Sequence, residues 1–300
     1  MKPAASRENL RGSLLMAAAM AGFAVEDVLV KQMAMSLPVG QVLAMVGAGA
    51  GLVFGLISTA QGAPLVSRML FCRPVMLRNF SEAGGSAAFV SALALTSLSG
   101  ASAIQQATPL AVTLGAALFL GEKVRWRRWT AIVIGLVGVL LIIRPGMSDF
   151  DPGSLLALLS VFLLAARDLA SRAVPPDVSS MQLAAWGMLS LVPAGLLMLL
   201  VTGTAPAGVA APDLIRLLAI LFAGGGAYYA IVLATRIGEL SAVMPFRYAR
   251  LVFALVLAYF VFGERPDGLM LLGSGLIVGT GLYTLWRTAQ QARAAAREGG

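Results

Sequence analysis

The stretch GSLLMAAAMAGFAVEDVLVK at 12–31 is an almost unbroken apolar run that closes on an acidic pair and a lysine. About 20 such residues, rising 1.5 Å each as a helix, cover the hydrocarbon core of a bilayer. The run also comes back. Gly12-Ser13-Leu14-Leu15 recurs as Gly153-Ser154-Leu155-Leu156, and the same offset of 141 takes Asp27 to Asp168 and Lys31 to Arg172. Leu120-Gly121-Glu122 recurs as Phe262-Gly263-Glu264 at an offset of 142, and Ser102-Ala103-Ile104 as Ser241-Ala242-Val243 at 139. Offsets this close over such a length indicate a duplicated unit, with a first repeat over 1–147 and a second over 148–300.

Working outward with the same template gives ten spans, near 12–31, 38–58, 77–97, 101–120, 126–143, 153–172, 181–201, 214–235, 240–262 and 268–286. The third is the weakest, because Glu82 and Gly84–Gly85 interrupt it, and nine spans is the fallback. The run at 12–31 passes through Glu26 and Asp27 without a small-residue cleavage site, so it reads as a retained span and not a leader. Five spans per repeat, an odd number, insert the second repeat upside down relative to the first. The expected fold is therefore an all-α polytopic membrane protein of ten transmembrane helices in two inverted five-helix repeats, with a substrate site near the midplane between them.

Composition agrees with lipid as the solvent. Apolar residues make up 59% of the chain and charged ones 12%, with a mean hydropathy of +0.87, against about 25% charged in soluble domains. The net charge of +8 sits in short clusters between apolar runs, which is a topology signal and not a nucleic-acid footprint. With the N-terminus inside, the inside segments, counted with the span ends that border them, place fifteen basic residues, Arg73 and Arg78 among them, on the cytoplasmic side. Only Lys31, Arg144, Arg216 and Arg265 fall outside. Both termini are thus expected in the cytoplasm. A single cysteine, Cys72, and no histidine exclude internal disulfides, histidine-ligated metals and histidine acid–base chemistry. No nucleotide-binding motif is present, so no cofactor and no metal is expected; an integral-membrane enzyme is the remote alternative to a carrier.

Charges inside spans cost several kcal/mol unless paired or hydrated, which singles out Glu26, Asp27 and Asp168 against Arg167, Arg247 and Arg250. Asp27–Lys31 and Asp168–Arg172 stand at i, i+4 with the acid first, the favourable order for helix-face pairs. Arg250 lies about ten residues into its span, too deep to snorkel fully, and is expected to line the cavity or to neutralise a buried acid such as Asp168. Gln105, Gln106 and Thr108 precede Pro109 in the fourth span, and the ninth holds Pro245, Arg247 and Tyr248. Proline frees a carbonyl and amides offer paired donors and acceptors, so these residues either bind substrate or bond neighbouring helices. Trp186, Tyr228 and Tyr229 either stack on a planar substrate or form interfacial belts. Small-xxx-small spacing at Gly47–Gly55, Gly224–Gly226 and Gly273–Gly279 reads as helix packing. Glu122 and Glu264 read as helix-connection residues.

Ala101-Ser-Ala-Ile-Gln-Gln-Ala-Thr-Pro109, Leu120-Gly-Glu122 and Gly135-Leu-Val-Gly138 resemble the end of an EamA repeat of the drug/metabolite transporter superfamily. Met244-Pro-Phe-Arg-Tyr-Ala-Arg250, leading to Phe262-Gly-Glu-Arg-Pro266, resembles the end of the second repeat. The likeness runs from Asn9 to Trp286. It implies a ten-helix inner-membrane carrier for a small organic metabolite. Within the family, MAGFAVEDVLVK at 20–31 looks similar to riboflavin uptake carriers, so riboflavin is the expected substrate; amino acids, S-adenosylmethionine and drugs, with export among the directions, are the alternatives. The implied partners are the substrate, the lipid bilayer and, for coupling, protons. A homodimer stays open, and no nucleic acid is involved.

Overall fold

The computed structural model describes residues 3–121, 126–147, 150–237 and 239–298. Its helices are α1 (Pro3–Ala34), α2 (Val39–Ala60), α3 (Arg73–Leu95), α4 (Leu98–Gln105), α5 (Thr108–Phe119), α6 (Trp126–Ile143), α7 (Gly153–Ser171), α8 (Ser180–Thr202), α9 (Ala211–Ile237), α10 (Leu240–Val243), α11 (Ala249–Phe262) and α12 (Gly268–Glu298). Tight 3-10 turns occupy Arg68–Phe71 and Met244–Tyr248. Eight segments among the described residues are long and apolar enough to cross a membrane. The other two crossings are α3, whose buried Arg78 and Glu82 dilute its hydropathy, and the broken pair α4–α5. Ten crossings result, and the nine-span fallback is not needed. Side chains such as Phe222 (86% exposed) and Leu200 (78%) point outward along these helices; only lipid accommodates such a surface on a fold whose backbone bonds are satisfied within helices.

The fourth and ninth crossings, each one span in the sequence, are both discontinuous. In the fourth, Pro109 has no N–H to give the Gln105 carbonyl. That carbonyl accepts instead from the Thr108 hydroxyl at 2.7 Å, and the chain turns through Gln106 and Ala107 before α5 begins. In the ninth, α10 gives way at Met244-Pro245 to the 3-10 turn, and α11 starts only at Ala249. The opposite end of α4 is capped across the repeats. The Glu264 carboxylate accepts from the backbone N–H groups of Leu98 (2.7 Å) and Ser99 (2.9 Å) and from the Ser99 hydroxyl (2.6 Å). Glu264 is thus a connection residue; Glu122 lies outside the described residues.

Packing joins one repeat to the other. First crossings meet third crossings, α1 on α9 and α7 on α3, while the second crossings pair as α2 on α8 and the fifth as α6 on α12. At the last two contacts glycines meet backbone to backbone. A Cβ on Gly195 would lie 2.3 Å from the Gly40 carbonyl oxygen and one on Gly40 2.5 Å from that of Gly195; Gly138 and Gly273 show the same reciprocity at 2.7 and 2.5 Å. Reciprocal contacts of this kind mark a pseudo-two-fold axis between the repeats. Gly121 and Gly263, repeat equivalents, share a positive φ (66° and 68°) just past α5 and α11, a conformation glycine adopts without strain.

Candidate functional site

The two breaks face one cavity of about 460 Å³ between the repeats. Gln105, Gln106, Thr108 and Pro109 line it from the fourth crossing, Met244, Arg247, Tyr248 and Arg250 from the ninth, and Arg167, Asp168 and Arg172 from α7. Thr113, Thr284 and Leu285 carry it towards the membrane face that holds the chain termini. All six residues expected to bind substrate therefore meet in one place. A second chamber of about 190 Å³ lies on the other side of Phe23, Leu164 and Arg250, which line both spaces. It extends along α1, α2 and α3 towards the opposite face and contains Glu26, Asp27 and Glu82.

Two buried ion-pair systems hold the walls. Arg250 clamps Asp27, with Nε to Oδ2 at 3.1 Å and Nη2 to Oδ1 and Oδ2 at 2.7 and 2.8 Å, and stands over the Phe23 ring at 5.4 Å. Arg167 bridges Glu82 (3.1 Å) and Asp168 (2.8 Å), and Arg78 adds a 3.2 Å contact to Glu82 and donates to the Leu183 carbonyl at 2.8 Å. A fork of donors suits a carboxylate better than a point charge does.

Three expectations change here. Asp27 pairs with Arg250 on α11 and not with Lys31, because Arg250 brings two aligned donors whereas Lys31 is drawn to the end of α3. There Lys31 donates to the carbonyls of Leu93 and Thr96 and lies 3.7 Å from Glu264. Arg250 neutralises Asp27, not Asp168. Arg78 is not in a loop but buried in α3, its guanidinium so close to Gly187 that a Cβ there would lie 1.9 Å from Nη1. Glu82, which lines the second chamber, and its partner Arg78 thus belong to the buried charge network, although the sequence places neither there. The signal was present, since an acid that interrupts an apolar span is itself a mark of a buried pair.

Arg247 differs from the other arginines. Its guanidinium is exposed to the cavity, and among the described residues it makes no direct hydrogen bond or ion pair. The amides are held more firmly. Gln105 Oε1 accepts from the Ser160 hydroxyl at 2.8 Å, and Gln106 Nε2 donates to the Tyr248 carbonyl at 3.4 Å, joining the two breaks. The Tyr248 hydroxyl is buried without a hydrogen-bond partner among the described residues. Glu26 carries neither hydrogen bond nor ion pair among them.

Of the aromatics, Trp186 is 3% exposed and donates its indole N–H to the Leu65 carbonyl at 2.7 Å, fixing the α2–α3 connection. Tyr229 points outward, and Tyr228 packs edge-on to Phe54 at 5.1 Å. None of the three lines the cavity.

Comparison with known proteins agrees with this architecture. A crystal structure superposes with a TM-score of 0.60 over 90% of this chain and 94% of the other at 20% identity, a shared fold. A riboflavin transporter of Vibrio cholerae is 30% identical over 64% of this chain and 64% of its own length, and one of Rhizobium johnstonii 30% identical over 67% and 66%. An S-adenosylmethionine uptake transporter of Rickettsia bellii is 25% identical over 67% and 68%. The chain spans about two thirds of the length of these relatives. The family model described as the EamA-like transporter family matches twice, at residues 10–144 and 151–286. With one match on each inverted half and a shared cavity between them, the chain belongs to the EamA-like transporter family as a multi-pass membrane protein.

Proposed function

We propose that this carrier takes up riboflavin across the bacterial inner membrane, with both termini in the cytoplasm. The observation that carries the reading is the uncommitted Arg247 guanidinium in a cavity of about 460 Å³, a size within the ~300–1,000 Å³ usual for small-molecule sites. Arg167, Arg172, Arg247 and Arg250 line it against Asp168 as its acid. Such a lining disfavours a cation and suits an acceptor-rich substrate. The flavin ring offers two carbonyls to Arg247, and its imide edge matches the Gln106 amide. The relatives named as riboflavin transporters support the same substrate. S-adenosylmethionine, the second reading by relatives' names, is a net cation at neutral pH and meets a like-charged wall.

Uptake of labelled riboflavin and labelled S-adenosylmethionine into cells lacking their own carriers tests the reading. Riboflavin accumulation that depends on Arg247 is expected, with Arg247→Gln raising the apparent KM about tenfold, the equivalent of one charge-assisted hydrogen bond. Uptake of S-adenosylmethionine alone would overturn the substrate. Reporters fused after Val75 and Arg128 should read cytoplasm and one after Asp149 the outside; a cytoplasmic signal at Asp149 would overturn the orientation.

A further inference from the structure

We propose that Glu26 is the proton-binding site that couples transport to a pH gradient. Three deeply placed acids are committed to arginines, Asp27 to Arg250, Glu82 to Arg78 and Arg167, and Asp168 to Arg167. Glu26 is in the same layer and has no such partner among the described residues. Its carboxylate lies over Gly224 of α9, where an added Cβ would come 2.9 Å from Oε2, and it opens into the 190 Å³ chamber walled by Phe23, Val30, Val42, Leu43, Val46 and Phe89. Asp27, Glu82, Ser86 and Arg250 also line the chamber, but Glu26 has no hydrogen bond to them; an ionised carboxylate in a mostly apolar space without a bonded donor is costly, and taking up a proton removes the cost. The chamber extends along α1, α2 and α3 away from the substrate cavity, and the proton reaches Glu26 through it.

The surroundings make the charge on Glu26 consequential. The charged and titratable groups on the elements packed against α1 near this depth are Arg250 on α11, Glu82 and Arg78 on α3, Tyr228 on α9, and Arg247 and Tyr248 in the 3-10 turn; α2 and α4 carry none. Asp27 and Lys31 lie on α1 itself. Arg250 is the cation within the wall that separates chamber from cavity. Charged Glu26 competes with its neighbour Asp27 for that guanidinium, whereas protonated Glu26 leaves the Asp27–Arg250 clamp intact and the wall closed. Proton binding in the chamber and the position of a cavity-lining residue are thereby one equilibrium. The duplication places Arg167 at the position equivalent to Glu26, and there the side chain is paired. The uncommitted acid belongs to the first repeat alone.

Two measurements on the purified full chain test this. Infrared difference spectra recorded between acid and alkaline pH, without substrate, should show a carboxylic acid band that titrates in the wild type, persists in Glu26→Asp and is lost in Glu26→Gln, the neutral isostere of the protonated state. In proteoliposomes an inward gradient of one pH unit should drive about tenfold accumulation of riboflavin at one proton per substrate. Glu26→Gln should lose that accumulation and keep riboflavin counterflow. A carboxylic acid titration in Glu26→Gln identical to that of the wild type, with no component lost, or gradient-driven accumulation by that variant, overturns the proposal. The assay rests on the substrate reading. Absent counterflow in the wild type would refute riboflavin as substrate, while the infrared titration would still decide whether Glu26 binds the proton.

Discussion

Replacing Arg250 by methionine keeps much of the side-chain length and removes every donor. Asp27, whose side chain is 6% exposed, then loses all three of its charge-assisted contacts at 2.7, 2.8 and 3.1 Å. Breaking a buried pair by removing one partner costs about 3–5 kcal/mol, because the remaining charge stays buried. Against a total stability of about 5–15 kcal/mol, that is a large fraction. Using the largest-domain sensitivity of ~2–4 °C per kcal/mol, the melting point should fall by about 10 °C. Fluorescence-detected gel filtration after a heating series measures it. Asp27→Asn combined with Arg250→Met should recover about half of the loss, since a neutral amide costs about 1–3 kcal/mol unpaired. Asp168→Asn should not rescue, because Asp168 answers to Arg167. Wild-type stability of Arg250→Met with Asp27 intact, or rescue by Asp168→Asn and not by Asp27→Asn, would refute the pairing and the argument built on it.

Other variants probe separate parts of the structure. Gly195→Ala drives a Cβ into the Gly40 carbonyl at 2.3 Å, so α2 and α8 must separate; a stability loss of about 1–3 kcal/mol is expected by the same heating assay, and an unchanged melting profile would contradict the close approach. Trp186→Phe removes the bond to the Leu65 carbonyl and should cost about 1 kcal/mol without moving the substrate KM, whereas a raised KM would return Trp186 to the binding site. Glu264→Ala strips two backbone donors at the start of α4 of their acceptor, a loss of about 0.5–2 kcal/mol for a cap, and Glu264→Gln should restore part of it.

The sequence by itself determined the solvent, the span count and the duplication. Twenty-residue apolar runs have no other stable home than a bilayer, and residues such as Asp27 and Asp168, 141 apart, carry the repeat because both halves keep the same local scaffold. It also brought forward the cavity residues, since a proline beside amides in the fourth span and beside Arg247 in the ninth marks irregular backbone where polar groups are tolerated in lipid. Which charge meets which was decided only by the tertiary structure. Within α1 the i, i+4 rule joins Asp27 to Lys31, but that rule knows a single helix. Packing of α1 against α11 brings a guanidinium fork to Asp27, and the end of α3 offers Lys31 two carbonyls, so each leaves its helical neighbour. Glu82 gained its meaning in the same way, when α7 laid Arg167 across it. Spacing along one helix is local information, whereas ion pairing in lipid is settled by whichever helices the glycine contacts at Gly40–Gly195 and Gly138–Gly273 allow to come together.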